Sequence, residues 1–299
     1  MYDICCIGHI TLDKIVTPHH VTHLPGGTAF YFSHAIGNLP VRYHLVTALA
    51  EKERELLSSL QERRIDITAC PSRHTVYFEN IYTSNQDHRE QKVAQQADAF
   101  SVEQITGLNA RMYHLGPLLS GDIPASVIKT LSEKGIVSLD AQGYLRNVKD
   151  GKVYPVDWSD KKTVLPYISI LKLNETEMEA ITGHTHIASA ARALWNWGAN
   201  EIVITLGSNG SVICKDGSFI AIPAYKPSAV VDATGCGDTY MAGYLYMRTK
   251  GAALEDAGKF AAAMATLNIE ASGPFTGNES NILKTLSEDF SLNNANNYI

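Results

Sequence analysis

The feature that most constrains this chain is a repeated rhythm. Short apolar runs, each ended by a polar residue or a glycine, alternate with stretches of helical periodicity. From Arg111 onward the rhythm is regular: a run at 112–116, a helix over about 124–134, then a run ending at Asp140. Residues 168–173 form another run that ends at Asn174, with a helix from Glu175. A helix over about 188–197 leads into the run 201–206, which stops at Gly207. Strand-length runs alternating with helices specify a mostly parallel sheet with helices on both faces. The N-terminal part fits the same scheme, with residues 3–7 as a buried strand closed by Gly8, and Asp13 just beyond its carboxyl end. Residues 41–48 read as a strand and 51–64 as a polar-faced helix. A hairpin is expected over 211–222, and two alanine-rich helices, about 238–248 and 254–271, close the core.

One segment breaks the rhythm. Residues 74–93 are β-rich and partly alternating, with turn residues at 84–87, which is the pattern of a hairpin and not of a βαβ unit. The expected organisation is therefore a single domain, 1–299, with a small β lid drawn from about 9–25 and 74–95. Its exposed strand edges invite pairing with the lid of a second copy, which makes a homodimer the expected assembly. The Asn-rich tail at 292–297 is expected to be loosely held.

Composition excludes several functions. A net charge of −6 with no cluster of Lys and Arg argues against nucleic acid as a partner. No apolar run approaches the roughly 20 residues that a membrane span needs, and residues 1–8 read as a strand and not as a signal peptide. Five cysteines without a C-x-x-C spacing point to reduced thiols and a cytoplasmic location. The histidines at 19, 20 and 23 lack a carboxylate or thiol partner set, so a polar loop is favoured over a metal site.

In a parallel sheet the strand ends Asp13, Asp140, Asn174, Thr205 with Gly207, and Asp232 converge on one edge, where ligands of open α/β sheets bind. The richest stretch there is Asp232-Ala233-Thr234-Gly235-Cys236-Gly237-Asp238-Thr239. A β-branched run, Ala229-Val230-Val231, stops at an acid; glycines then flank one small residue, and an apolar helix follows. Outward N–H groups at a helix start hold anions, most often phosphate. Asp238 is then a helix cap or a base aimed at something bound. A second Gly-Gly pair, Gly26-Gly27, precedes another helix and suits close approach by a ligand's hydroxyls. Walker A, G-x-G-x-x-G and protein-kinase signatures are absent, so a nucleotide must use Gly235-Cys236-Gly237 as its cradle.

These residues carry a resemblance. D-A-T-G-C-G-D at 232–238 resembles the D-T-x-G-A-G-D signature of the ribokinase-like (PfkB) sugar kinase family. Asn174-Glu175-Thr176-Glu177 is similar to its N-x-x-E motif, Thr205 to Gly210 to its T-x-G-x-x-G nucleotide loop, and Gly26-Gly27 to its N-terminal di-glycine. The resemblance implies a ribokinase-like three-layer sandwich around a mostly parallel central sheet, with a small β lid. It implies an ATP-dependent transfer of the γ-phosphoryl group to a hydroxyl of a sugar, polyol or nucleoside. Asp238 would be the general base, and the N–H groups of Gly235, Cys236 and Gly237 the anion hole. Asn174 and Glu177 would organise Mg²⁺ largely through water. Thr205, Gly207 and Gly210 would lie against the nucleotide, and Asp13, Gly26 and Gly27 would hold acceptor hydroxyls. Asp232 would flank a monovalent-cation (K⁺) site found in some members. A carboxylate within a donor-rich helix start is expected to stay ionised.

Three departures qualify this reading. Cys236 replaces the usual Ala; a helix-start thiol can have a lowered pKa, so Cys236 is either a tolerated small residue or a redox-sensitive one. Tyr31 stands where many family members carry an acceptor-contacting Asn, and serves as a pocket wall or as core. The run Leu139-Asp140-Ala141-Gln142-Gly143-Tyr144-Leu145-Arg146 resembles the inositol kinase branch, with Arg146 either a phosphate contact or a structural ion pair. No clear basic pair for a phosphorylated sugar is found in the lid, which favours an unphosphorylated acceptor. A binding regulator without turnover, or a vitamin-alcohol kinase of the same fold, are the alternatives.

Overall fold

Uninterrupted apolar residues at 4–7 suit a strand covered on both faces, and the computed structural model places that strand inside the largest sheet. It describes residues 1–18, 20–82, 89–287 and 291–293. In chain order the strands are β1 (Tyr2–Gly8), β2 (Thr11–Val16), β3 (Val21–Gly26), β4 (Tyr43–Leu49), β5 (Asp66–Pro71), β6 (Val76–Tyr82), β7 (Arg89–Gln95), β8 (Ala110–Gly116) and β9 (Ile136–Asp140). They continue with β10 (Arg146–Lys149), β11 (Lys152–Pro155), β12 (Ile170–Asn174), β13 (Glu201–Thr205), β14 (Ser211–Lys215), β15 (Ser218–Ile222), β16 (Ala224–Tyr225) and β17 (Ser291–Asn293).

The main sheet has the order β15-β14-β13-β12-β9-β8-β1-β4-β5. Its strands are parallel from β13 to β5, and the hairpin β14–β15 adds an antiparallel edge. The chain starts at β1, runs outward to β4 and β5, and returns to β8 on the other side. The strand order therefore reverses at β1, and a crevice opens beyond the carboxyl ends of β1 and β8. One apolar layer packs one face, with the helices Ala125–Ser132, Glu175–Thr182 and Ile187–Asn196. The other face is covered by the helices Thr28–Ile36, Cys236–Thr249 and Leu254–Ile269. This is the three-layer sandwich.

A second sheet, ordered β10-β11-β7-β6-β2-β3, stands over that crevice on its own small core of Val76, Phe78, Val93, Leu118 and Leu119. It takes in β10 and β11 as well as the segments expected from the sequence. Residues 146–155 alternate only weakly and were not separable from a loop by pattern. Three other expectations change. Asp13 does not follow the end of β1; it lies inside β2, opposite Leu24 and Phe78. Ala229-Val230-Val231 is not a strand, and Val230 and Val231 are exposed, because the Val231 and Asp232 N–H groups both donate to the Ile269 carbonyl at the end of a helix. The predicted polar helix over 51–64 is a 3₁₀ segment, Glu51–Leu57, running into a short α-helix, Ser58–Glu62. The turn expected at 84–87, His19 and the Asn-rich tail from 294 lie outside the described residues.

Candidate active site

Glycine makes the crevice narrow where it matters. Gly8 and Gly116 are register partners at the ends of β1 and β8. A Cβ on Gly116 would lie 2.5 Å from Thr28 Cγ2, so only glycine lets the Thr28–Ile36 helix start directly above the strand ends. That helix start brings Gly27, Thr28 and Tyr31 to the cleft. Together with Thr11 and Asp13 from β2, Asn174 and Thr205 from β12 and β13, Gly207, Arg146 and the 235–238 loop, they line one cavity of about 630 Å³. Of the residues singled out from sequence, Gly26, Glu177, Gly210 and Asp232 lie just outside this lining. Gly26 backs onto the Asp13 carboxylate, with 2.6 Å between Asp13 Oδ2 and the position of a Cβ. Asp232 accepts the Thr234 N–H at 2.9 Å in a local turn.

The cleft floor is acidic around one buried cation. Lys172, in the middle of β12, is the register partner of Asp140 on β9, and its Nζ donates to Asp140 Oδ2 at 2.9 Å. Burial works against both charges. For Lys172 the opposing fields of Asp140 and Glu177 prevail, and its pKa is raised. For Asp140 the Lys172 ammonium and the Gln142 N–H outweigh burial, and the carboxyl is held below its usual range. Asp238 behaves differently. Burial first, then the negative charge of Asp140, push its carboxyl up to about 8, against the pull of Lys172 and a hydrogen bond from Thr28. The expectation that Asp238 stays ionised is thus corrected for the unliganded protein. The donor-rich helix start is outweighed by desolvation and by neighbouring acids.

Asn174 and Glu177 close on each other. Asn174 Oδ1 accepts the Glu177 N–H at 2.9 Å, and the Glu177 carboxylate accepts the Asn174 N–H and its Nδ2–H at 2.8 Å each. The N-x-x-E spacing is therefore a capping box at the start of the Glu175–Thr182 helix. Burial and then Asp140 shape the Glu177 carboxyl, which is raised although Lys172 and Arg146 oppose them. Among the described residues no three acidic, histidine or cysteine side chains gather into a metal site. The excess of acid over cation on the floor fits a divalent ion held mainly by water and donor phosphates, as Mg²⁺ prefers.

The glycine loop is held from two sides. Gly235 caps the Cys236–Thr249 helix with φ 74°, and a Cβ there would fall 2.4 Å from Tyr31 Cδ1. Tyr31 is thus both part of the cleft lining and the wall against which the loop rests. From behind, the buried Asn268 donates to the Thr234 carbonyl at 3.1 Å and accepts the Thr239 hydroxyl at 3.2 Å. The first-turn N–H groups of Gly237 and Asp238 have no intrahelical acceptor. The Cys236 N–H is engaged with the Ala233 carbonyl at 3.2 Å, which removes it from the expected trio of free donors. Burial also raises the Cys236 thiol pKa, contrary to the lowering expected at a helix start.

Beside this loop lies a second cavity of about 420 Å³. Its walls are Thr205, Gly207, Gly210, Tyr225, Pro227, Val230, Ala262, Ala265 and Ile269, together with Cys236, Gly237 and Tyr240. It shares Thr205, Gly207, Cys236 and Gly237 with the larger cleft, so the two cavities meet at the helix start. Thr28, Lys172 and Asn268 were not found from the sequence. An Asn in an alanine-rich helix and a Lys inside an apolar run were the signals available.

A parallel sandwich with a switch-point crevice, a glycine-rich helix start and a carboxylate beside it is the setting of a phosphotransferase of the sugar-kinase type. The chain belongs to the pfkB family of carbohydrate kinases, whose family model matches residues 1–281. It is 30% identical over 271 residues to the cytidine kinase of Thermococcus kodakarensis, covering 86% of this chain and 92% of that protein. A pyrophosphate-dependent kinase of the ribokinase family, solved as a sulfate complex, superposes with a TM-score of 0.85 at 27% identity over 94% of this chain and 99% of its own. The structure of a pyrophosphate-dependent kinase of that family with a pyrophosphate analogue and myo-inositol gives 0.83 at 27% identity, over 91% and 97%. No helix among the described residues is long and apolar enough to cross a membrane.

Proposed function

We propose that this chain transfers the γ-phosphoryl group of ATP to a hydroxyl of an unphosphorylated cyclitol, sugar or nucleoside. The observation that carries the donor choice is the apolar cavity of about 420 Å³ that meets the anion-binding loop. Pyrophosphate has no apolar part to fill it, whereas a nucleoside does. The acceptor end of the cleft presents Asp13, Gln91, Gln142 and Arg146, a set suited to hydroxyl groups and poor in the cations a sugar phosphate would need.

In this reading the acceptor lies between Asp13 and Asp238, with Gly27 and Tyr31 alongside, and Arg146 at the rim. Asp238 takes the acceptor's proton as its oxygen bonds to the γ-phosphorus, while the bond from that phosphorus to the β-bridging oxygen breaks and ADP leaves. An alcohol is not deprotonated beforehand by a carboxylate; the proton moves with bond formation, for about 10²–10⁴-fold assistance. The N–H groups of Gly237 and Asp238, at the positive end of the helix dipole, take the charge of the phosphoryl oxygens. Thr205, Gly207 and Gly210 lie along the nucleotide. Asn174 and Glu177 would hold Mg²⁺ through water, and the ion would neutralise the phosphate charge. The second sheet serves as the lid, placing Asp13 and excluding water.

The test is a panel of cytidine, other nucleosides, myo-inositol and free sugars, offered with ATP or with pyrophosphate in the presence of Mg²⁺. ADP release with at least one acceptor is expected, and Asp238→Asn should lower turnover by about 10²–10⁴-fold while still binding nucleotide. Turnover with pyrophosphate but not ATP would overturn the donor assignment.

A further inference from the structure

We infer that Lys172 is a catalytic residue whose ammonium binds the phosphoryl group in transit beside Gly237, held in place by Asp140. The inference rests on the kinase reading above and adds to it a residue outside the signature motifs.

Alternation along β12 puts Lys172 on the same sheet face as Ile170, which packs in the core shared with the Cys236–Thr249 helix. The side chain therefore runs beneath the first turn of that helix. Its Nζ lies 3.3 Å from where a Cβ of Gly237 would stand, and Lys172 lines the cleft with Gly235, Gly237 and Asp238. The ammonium and the first-turn N–H groups thus meet at one point. Lys172 makes its hydrogen bond to Asp140 and also lines the cleft, where a ligand can reach it.

Stability does not account for this placement. The positive end of a helix dipole repels a cation. A buried ion pair is commonly matched or exceeded in stability by apolar residues of the same volume. An anion resolves the conflict, because it is attracted by the ammonium and by the helix start together. Glycine at 237 leaves the ammonium room, since a Cβ there would stand 3.3 Å from Nζ. During transfer the acceptor proton goes to Asp238, and Lys172 keeps its own protons, donating hydrogen bonds to a phosphoryl oxygen throughout. Asp140 is a positioning residue that fixes the ammonium.

Three variants test this: K172M, K172R and the double variant K172M/D140N, which removes both charges so that Asp140 is not left as an unpaired buried acid. Transfer from ATP is measured with the acceptor found in the panel. Calorimetry follows the binding of MgADP alone and with aluminium fluoride, a mimic of the phosphoryl group in transit. K172M and the double variant should lose about 10²–10³-fold in kcat, the effect of removing one donor from a charge-stabilising hole. KM for ATP and MgADP affinity should hold within a few-fold, the fluoride-dependent tightening should vanish, and K172R should recover part of both. A double variant that recovers wild-type turnover, or K172M that keeps the fluoride tightening, overturns the inference. Wild-type protein that transfers to no acceptor defeats the kinase reading instead, while fluoride tightening still reports on Lys172.

Discussion

At the scale of single residues, the floor of the cleft is a balance of charge. Asp238, pushed up to about 8 by burial and by Asp140, is a stronger base than a surface carboxylate but is mostly protonated at pH 7 when nothing is bound. The profile of kcat/KM for the acceptor should therefore rise with pH and level off near pH 8, and Asp238→Asn should abolish that limb. The same shift acts on stability. The folded state binds a proton that the unfolded chain has already released between about pH 4 and 8, so folding loses stability as pH rises through that window. Asp238→Asn should accordingly raise Tm at pH 8 and change it little at pH 4. Each kcal/mol regained corresponds to about 2–4 °C for a domain somewhat smaller than this one. Equal Tm gains at both pH values would show that the carboxylate carries no such strain.

At the scale of elements, the 235–239 loop is held in place from outside as well as by its own glycines. Tyr31 supports it from the acceptor side and Asn268 from behind. Asn268→Ala leaves the Thr234 carbonyl and the buried Thr239 hydroxyl without that partner, and the buried hydroxyl left unmade costs about 1–3 kcal/mol. We expect a lower Tm and a fall in kcat of tenfold or more with little change in the KM for acceptor. A fall in Tm with kcat intact would make Asn268 a purely structural residue. The same loop shows what was legible beforehand. Gly235, Gly237, Asp238, Asn174 and Glu177 could be picked out because their residue types carry chemistry at short spacings. Lys172 could not, because its importance comes from register: Asp140 is 32 residues away and meets it only once β9 and β12 pair. Val230 and Val231 misled for the converse reason. Their β propensity is real, but the backbone there is tied to the end of a helix instead.

At the scale of the whole molecule, the two sheets divide the work. The main sheet supplies Lys172, Asn174 and Thr205 from rigid, buried strands, while the second sheet brings Asp13 and Phe78 on a smaller core. A small apolar core makes the second sheet the less stable unit. Acceptor binding should therefore slow amide exchange in β2, β6 and β7 more than in β1 or β8. Uniform protection across both sheets would argue against a closing lid. The parallel architecture was readable from the strand–helix rhythm. The share of residues 146–155 in the second sheet was not, since short weakly alternating strands gain their identity only from their neighbours.

The central position of β1 bears on how the chain is made. The strand is made before both of its partners, the segments 43–49 and 110–116 that pair with it on either side. Until the later of these has been made, this apolar strand has at least one edge without its partner, which is the condition under which growing chains aggregate. For the same reason residues 1–8 are a poor place to shorten this protein. Deleting residues 1–8 would not trim an edge; it would take out the strip that joins β4 and β5 to the rest of the sheet, and the product should be insoluble.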